Sequence, residues 1–154
     1  METKWLREDQ NFKLRFGSEN NNWDTVQLAD TVDTDALHDG VYLSEDANGK
    51  FVIAPSGAKV AFPMLELKFQ YDNEAIDGVT ISRGNVTAYT KHFDGTPSVG
   101  DKMKIGATPG KLAVLDTAGG DTEDMAVAEV LSVNAEDIEI QNYTKLKLKG
   151  GIHK

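Results

Sequence analysis

A chain of 154 residues with 40% hydrophobic content is long enough for one domain with its own core, and too apolar to remain disordered. It contains no cysteine, which excludes disulfides and thiolate metal sites and suits a reducing compartment. A formal net charge of −9 repels phosphate backbones at range, so DNA or RNA binding is disfavoured.

Residues 1–10 carry mixed charge around Trp5 and Leu6 without a clean period and read as an N-terminal arm. Trp5 either folds back onto the body or anchors a partner, since tryptophan is enriched at interface hot spots. Strands are expected at 11–16, 25–29, 40–44 and 51–54, where apolar residues recur at every second position, as in Phe12, Leu14 and Phe16. Between the last two, Asn48-Gly49 tolerates positive φ and closes a hairpin. A turn at Pro55-Ser-Gly57 leads to a strand at 59–62, and Pro63, lacking a donor, belongs at a strand end or sheet edge. Residues 65–71 alternate most cleanly, with Leu65, Leu67, Phe69 and Tyr71 set against Glu66, Lys68 and Gln70.

The polar, turn-rich stretch 72–78 marks a soft boundary. Strands are expected beyond it at 79–82, 85–91, 101–105, 111–115, 126–133, 138–141 and 144–149. Residues 123–132 could wind into a short helix, but their valines and flanking turns favour a strand. Short strands separated by turns imply an all-β fold. We expect a small β-barrel, SH3-like or related, with an N-terminal β layer and extended termini. The organisation is an arm at 1–10, an N-terminal β layer at 11–77 and a C-terminal β-barrel at 78–154, the last two packed as one compact unit.

Chemistry is sparse. His38, His92 and His153 lie far apart with no ligand partner at helical or hairpin spacing, whereas zinc needs three or four converging ligands. Asp33-Thr-Asp35-Ala-Leu-His-Asp39-Gly40 is faintly like a calcium loop. Its fifth position is the apolar Leu37 and its glycine comes two places late, so an acidic surface turn is expected. Gly106-Ala-Thr-Pro-Gly110 and Gly119-Gly-Asp121 lack the Gly-Lys-Ser/Thr ending of a phosphate cradle. Trimeric nucleotide hydrolases are also small and all-β, but their C-terminal arm carries Ser/Thr-Gly phosphate contacts that the end of this chain lacks. We expect no catalytic residues, no metal and no cofactor. No apolar run approaches the roughly 18 residues that cross a bilayer, so no membrane partner is expected. The opening residues have neither the apolar core nor the cleavage site of a secretory signal, which reads as folding in the cytoplasm.

Charge is segregated. No Lys or Arg occurs between Arg15 and Lys50, where Glu19, Asp24, Asp30, Asp33, Asp35, Asp39, Glu45 and Asp46 accumulate. A second acidic stretch lies between Lys111 and Lys145, after which Lys145, Lys147, Lys149 and Lys154 reverse the sign. Alternation sets the first three lysines opposite Leu146 and Leu148. They either guard an edge strand against self-pairing or form a basic stripe for an acidic partner surface.

Three pieces between Val86 and Leu131 carry a family likeness: Ser98-Val-Gly-Asp101 opening a strand, Gly110-Lys-Leu112 beginning the next after a Gly/Pro loop, and Ala126-Val-Ala-Glu-Val130 returning before Asp137-Ile-Glu-Ile140. Together they resemble the β-barrel of capsid decoration, or head cement, proteins of tailed bacteriophages, over about half the chain, from near Val79 to near Gln141. The resemblance implies a non-enzymatic virion protein, made in the host cytoplasm, that binds the major capsid protein on the outer surface of the shell. It also implies self-association, as a dimer or trimer. Candidate contacts to capsid or subunit are Trp5, Leu6 and Phe12 at one end and Lys145, Lys147 and Lys149 at the other. The alternative is a tail or baseplate component using a similar barrel as a joint.

Overall fold

A computed structural model describes residues 12–14, 23–64, 78–83, 86–143, 147–148 and 151–152. The expected strand at 65–71 lies outside these residues. What is described is all-β. The helical pieces among the described residues are single 3-10 turns at Thr34–Ala36, Thr117–Gly119 and Glu123–Met125. The ambiguous 123–132 stretch therefore divides, a 3-10 turn followed by a strand.

The strands are β1 (Phe12–Leu14), β2 (Trp23–Gln27), β3 (Tyr42–Glu45), β4 (Phe51–Ile53), β5 (Phe62–Pro63), β6 (Gly78–Ser82), β7 (Thr87–Thr90), β8 (Lys102–Ile105), β9 (Leu112–Val114), β10 (Ala128–Val133), β11 (Ile138–Asn142), β12 (Lys147–Leu148) and β13 (Gly151–Ile152). A six-stranded sheet runs β1-β7-β11-β10-β8-β9, every pair antiparallel. Smaller sheets are β4-β3-β5, β2-β6 and the hairpin β12-β13.

Among the described residues no sheet closes by strand pairing, so the expected barrel is open there. Its wrap is nonetheless tight. The chain leaving β7 swings beside β9, the opposite end of the sheet, where Phe93 bridges Leu112 and the Asp94 amide donates to the Leu112 carbonyl at 2.9 Å. β10 carries one extra residue, Leu131, between its pairings at Val130 and Ser132. A bulge of this kind bends a strand and raises its local twist, which favours such curling.

Pleating decides which side chains enter the core. β7 and β8 bury alternate residues, Ala88 and Thr90, then Met103 and Ile105. With Leu112, Val127, Ala128, Val130, Ile138 and Ile140, the residues Ala88, Met103 and Ile105 line one apolar core. A second core gathers Val26, Leu28, Leu37, Leu43, Phe51, Phe62, Met64, Val79 and Ile81. β3 separates the two. Tyr42 points into the first core while Val41 and Leu43 point into the second, so this strand is buried on both faces.

The β3–β4 connection is a hairpin, as Asn48-Gly49 implies. The Gly49 amide donates to the Asp46 carbonyl at 3.2 Å, and Gly49 has φ +80°. The Asp46 carboxylate accepts from the amides of Asn48 and Lys50 at 2.8 and 3.0 Å. This is a three-residue loop with glycine at the left-handed position. Pro63 lies in β5, at the edge of its sheet, where its missing donor costs nothing.

Arg83, just past β6, ties three small strands together. Its Nε donates to the Asp24 carboxylate at 2.9 Å, and its guanidinium carbon lies 5.6 and 5.1 Å from the ring centres of Phe51 and Phe62. A planar cation can stack on rings and pair with a carboxylate at once. Arg83→Ala is expected to lower stability by about 1 kcal/mol in chemical denaturation. Arg83→Lys should recover less than half of that, because an ammonium does not reproduce the stack.

Candidate contact surfaces

The expected contact residues fall mostly at the ends of the chain. Trp5, Leu6, Lys145 and Lys149 lie outside the described residues. Phe12 stands in β1 opposite Thr90, placing this segment on the outer edge of the six-stranded sheet. Lys147 stands in β12 opposite Ile152 in a two-stranded hairpin.

The two acidic stretches differ in what they leave for a partner. In the second, β8 and its neighbourhood supply cations from within. Lys104 reaches Asp121 at 2.6 Å, Lys102 reaches Glu123 at 2.6 Å, and Lys59 reaches Asp124 at 3.1 Å. Lys104, together with the Asp116 amide at 2.7 Å, holds the Asp121 carboxyl below the usual carboxylate range. In the first stretch Asp24 is taken by Arg83 and Asp46 by its own hairpin. No cation among the described residues pairs with Asp30, Asp33 or Asp35. The exposed acidic face is thus centred on residues 30–35.

The calcium-like segment is the acidic surface turn expected of it. Asp33 Oδ1 accepts from the Asp35 amide at 3.0 Å, which starts the 3-10 turn, and Leu37 is buried in the second core. Among the described residues no three His, Asp or Glu side chains converge to hold a metal. Among the described residues two large apolar side chains are exposed: Val99 at 68% and Val133 at 47%. Continuing the β8–β10 register from Ala128 opposite Met103 brings both to one end of the sheet.

Two pairings escape local sequence patterns. The Tyr42 hydroxyl donates to Asn142 Oδ1 inside the first core, from strands a hundred residues apart. His38 and His92 also meet, their rings edge to face with centroids 4.2 Å apart. Spacing along the chain carries no sign of either contact, because each is made only when the two layers pack.

Comparison with known protein families, curated proteins and solved structures finds no match to this chain.

Proposed function

We propose that this chain is a structural protein of a tailed-phage virion, which binds the outside of the capsid shell and stabilises its assembled form. One observation carries the reading. The family-like segment from Val86 to Leu131 spans β7, β8, β9 and β10 of one sheet, with its quoted turns at the strand junctions. Ser98-Val-Gly-Asp101 is a closed turn immediately before β8. The Asp101 amide donates to the Ser98 carbonyl at 3.0 Å, and the Asp101 carboxylate accepts from the Ser98 amide at 2.8 Å. Gly110 introduces β9, and Ala128 begins β10.

A protein of this kind works by linkage rather than by chemistry. Binding the assembled shell and not its dissociated subunits stabilises the shell by RT ln(1 + [L]/Kd), about 2.7 kcal/mol at a hundredfold excess over Kd. Two or three copies joined in one oligomer strengthen weak contacts, since later ones form at high effective concentration. The basic run Lys145, Lys147 and Lys149 of the sequence and the exposed acidic face at residues 30–35 would supply opposite charges for such contacts.

Purified protein added to capsids lacking it should co-sediment with them and raise their resistance to heat and osmotic shock. Replacing Lys145, Lys147 and Lys149 together with glutamate should weaken co-sedimentation at least tenfold, with the circular dichroism spectrum unchanged. Failure of the unmodified protein to bind shells would overturn the proposal. Imaging that places the chain in the tail or baseplate would replace it with the joint reading.

A further inference from the structure

We propose that the His38–His92 contact is an acid-sensitive seam between the two cores, closed while the His92 ring is neutral and opened when it takes up a proton. The inference stands on geometry and does not depend on capsid binding. His38 follows Leu37, which is buried in the second core; His92 precedes Phe93, which packs on the first. The two rings, 4.2 Å apart, therefore join segments whose immediate neighbours belong to different cores.

One ring and the backbone of the other residue are held by hydrogen bonds. His38 Nδ1 donates to the Asp39 carbonyl at 3.0 Å. The backbone of His92 is pinned at both of its polar groups. Its amide donates to Thr90 Oγ1 at 3.0 Å, and its carbonyl accepts from the Leu112 amide at 3.3 Å. The His92 backbone cannot retreat without breaking its two hydrogen bonds, so repulsion between the rings is relieved by swinging a ring out or by opening the contact.

Around His92 the surrounding charges do not offset that repulsion. Lys111, in the turn between β8 and β9, faces His92 and adds a third cation. Asp94 is the opposing carboxylate, and it is already committed to Lys111 at 3.1 Å. Lys91 beside His92 pairs with Glu136 at 3.5 Å, while Asp39 and Asp35 flank His38 on its own segment. Burial first, then His38 and Lys111, push the His92 imidazole down to about 4.

The sign follows from linkage. In an unfolded or opened segment His92 takes up its proton near pH 6.5, whereas in the closed seam it resists until about pH 4. Closure is therefore fully favoured above pH 6.5 and is lost as the pH falls towards 4.

The test is amide hydrogen exchange on the full chain at pH 7 and pH 5, with the intrinsic pH dependence of exchange divided out. Two reporters lie at the seam: the Leu112 amide, bonded to His92, and the Tyr42 amide, bonded to the Gly110 carbonyl at 3.0 Å. The Val127 amide, bonded to the Met103 carbonyl at 2.7 Å, reports on the sheet away from it. Between pH 7 and pH 5 the seam amides should lose about tenfold in protection and Val127 should lose little. In His38→Gln the selective loss should shrink, and the His92 ring resonance should titrate closer to 6.5 while burial still holds it below that value. Equal loss at all three amides, or none, in the unmodified protein would overturn the inference, as would a His92 titration unchanged by His38→Gln.

Discussion

Gly110→Ala is expected to lower the stability of the fold by roughly 2–4 kcal/mol, the largest effect of any single methyl group considered. Gly110 has φ +78°, where a side chain is strained, and the site is also crowded. A Cβ there would lie 2.5 Å from Val41 Cγ2 and 2.8 Å from Ile53 Cγ2, both held by the second core. The same residue is a clasp between layers. Its amide donates to the Ala54 carbonyl at 2.8 Å and its carbonyl accepts from the Tyr42 amide at 3.0 Å. Backing away from the methyl group would thus break the bonds that join the β8–β9 turn to β3 and β4. In urea, with a slope of about 2 kcal/mol/M, the midpoint should fall by roughly 1–2 M at unchanged slope. Gly49→Ala is the control. That residue has φ +80°, but its nearest neighbour to a Cβ is Glu45 Oε2 at an ordinary 3.7 Å. It should lose only about 1 kcal/mol from backbone strain. Equal losses at the two positions would show that crowding at Gly110 is relieved by movement.

Tyr42→Phe should lower stability by about 1–3 kcal/mol, although it leaves the ring in place. The cost arises at Asn142, which is buried at 3% exposure and accepts the phenolic hydrogen through Oδ1. Its Nδ2 has no partner among the described residues, so losing Tyr42 would strand the whole amide in an apolar core. Removing both polar partners, as in Tyr42→Phe with Asn142→Leu, should recover most of the loss, because no unsatisfied group then remains. A double variant as unstable as the sum of the singles would remove the hydrogen bond as the cause. The pair also predicts alkaline behaviour. Burial pushes the Tyr42 phenol well above its ordinary value, while the unfolded chain ionises near pH 10. Stability is therefore unaffected below about pH 10 and falls above it, and Tyr42 should ionise only as the fold opens.

The strands were legible where one face meets a core and the other meets water. Residues 101–105 show this alternation plainly, with Met103 and Ile105 buried, whereas at 138–141 Ile138 and Ile140 are buried as expected but Glu139 between them is buried too. The Asn48-Gly49 hairpin and the edge position of Pro63 were equally plain, because a backbone requirement is local. The part played by β3 was less so. Reading Val41 and Leu43 as an alternating pair passes over Tyr42 between them. Three consecutive bulky apolar residues are themselves the mark of a strand covered on both sides. The open wrap of the large sheet could not be foreseen, since whether β9 pairs with β1 or meets the chain after β7 depends on curvature. Nor could the meeting of His38 and His92, whose separation in sequence carries no period. Of the proposed contact residues, Phe12 and Lys147 acquire a place in the strand order, and the others remain known by chemistry alone.

The two-sided burial of β3 bears on how this molecule can change over evolutionary time. A substitution at Tyr42 falls in the core that holds Ala88, Ile105 and Ile140, and one at Leu43 in the core that holds Phe51 and Ile81, yet the two positions are neighbours on one short stretch of backbone. Neither half could be exchanged for a foreign counterpart without leaving the other missing a wall. Variation should therefore accumulate at the rims, in turns such as 30–35 and 94–101, while the middle is inherited as one block.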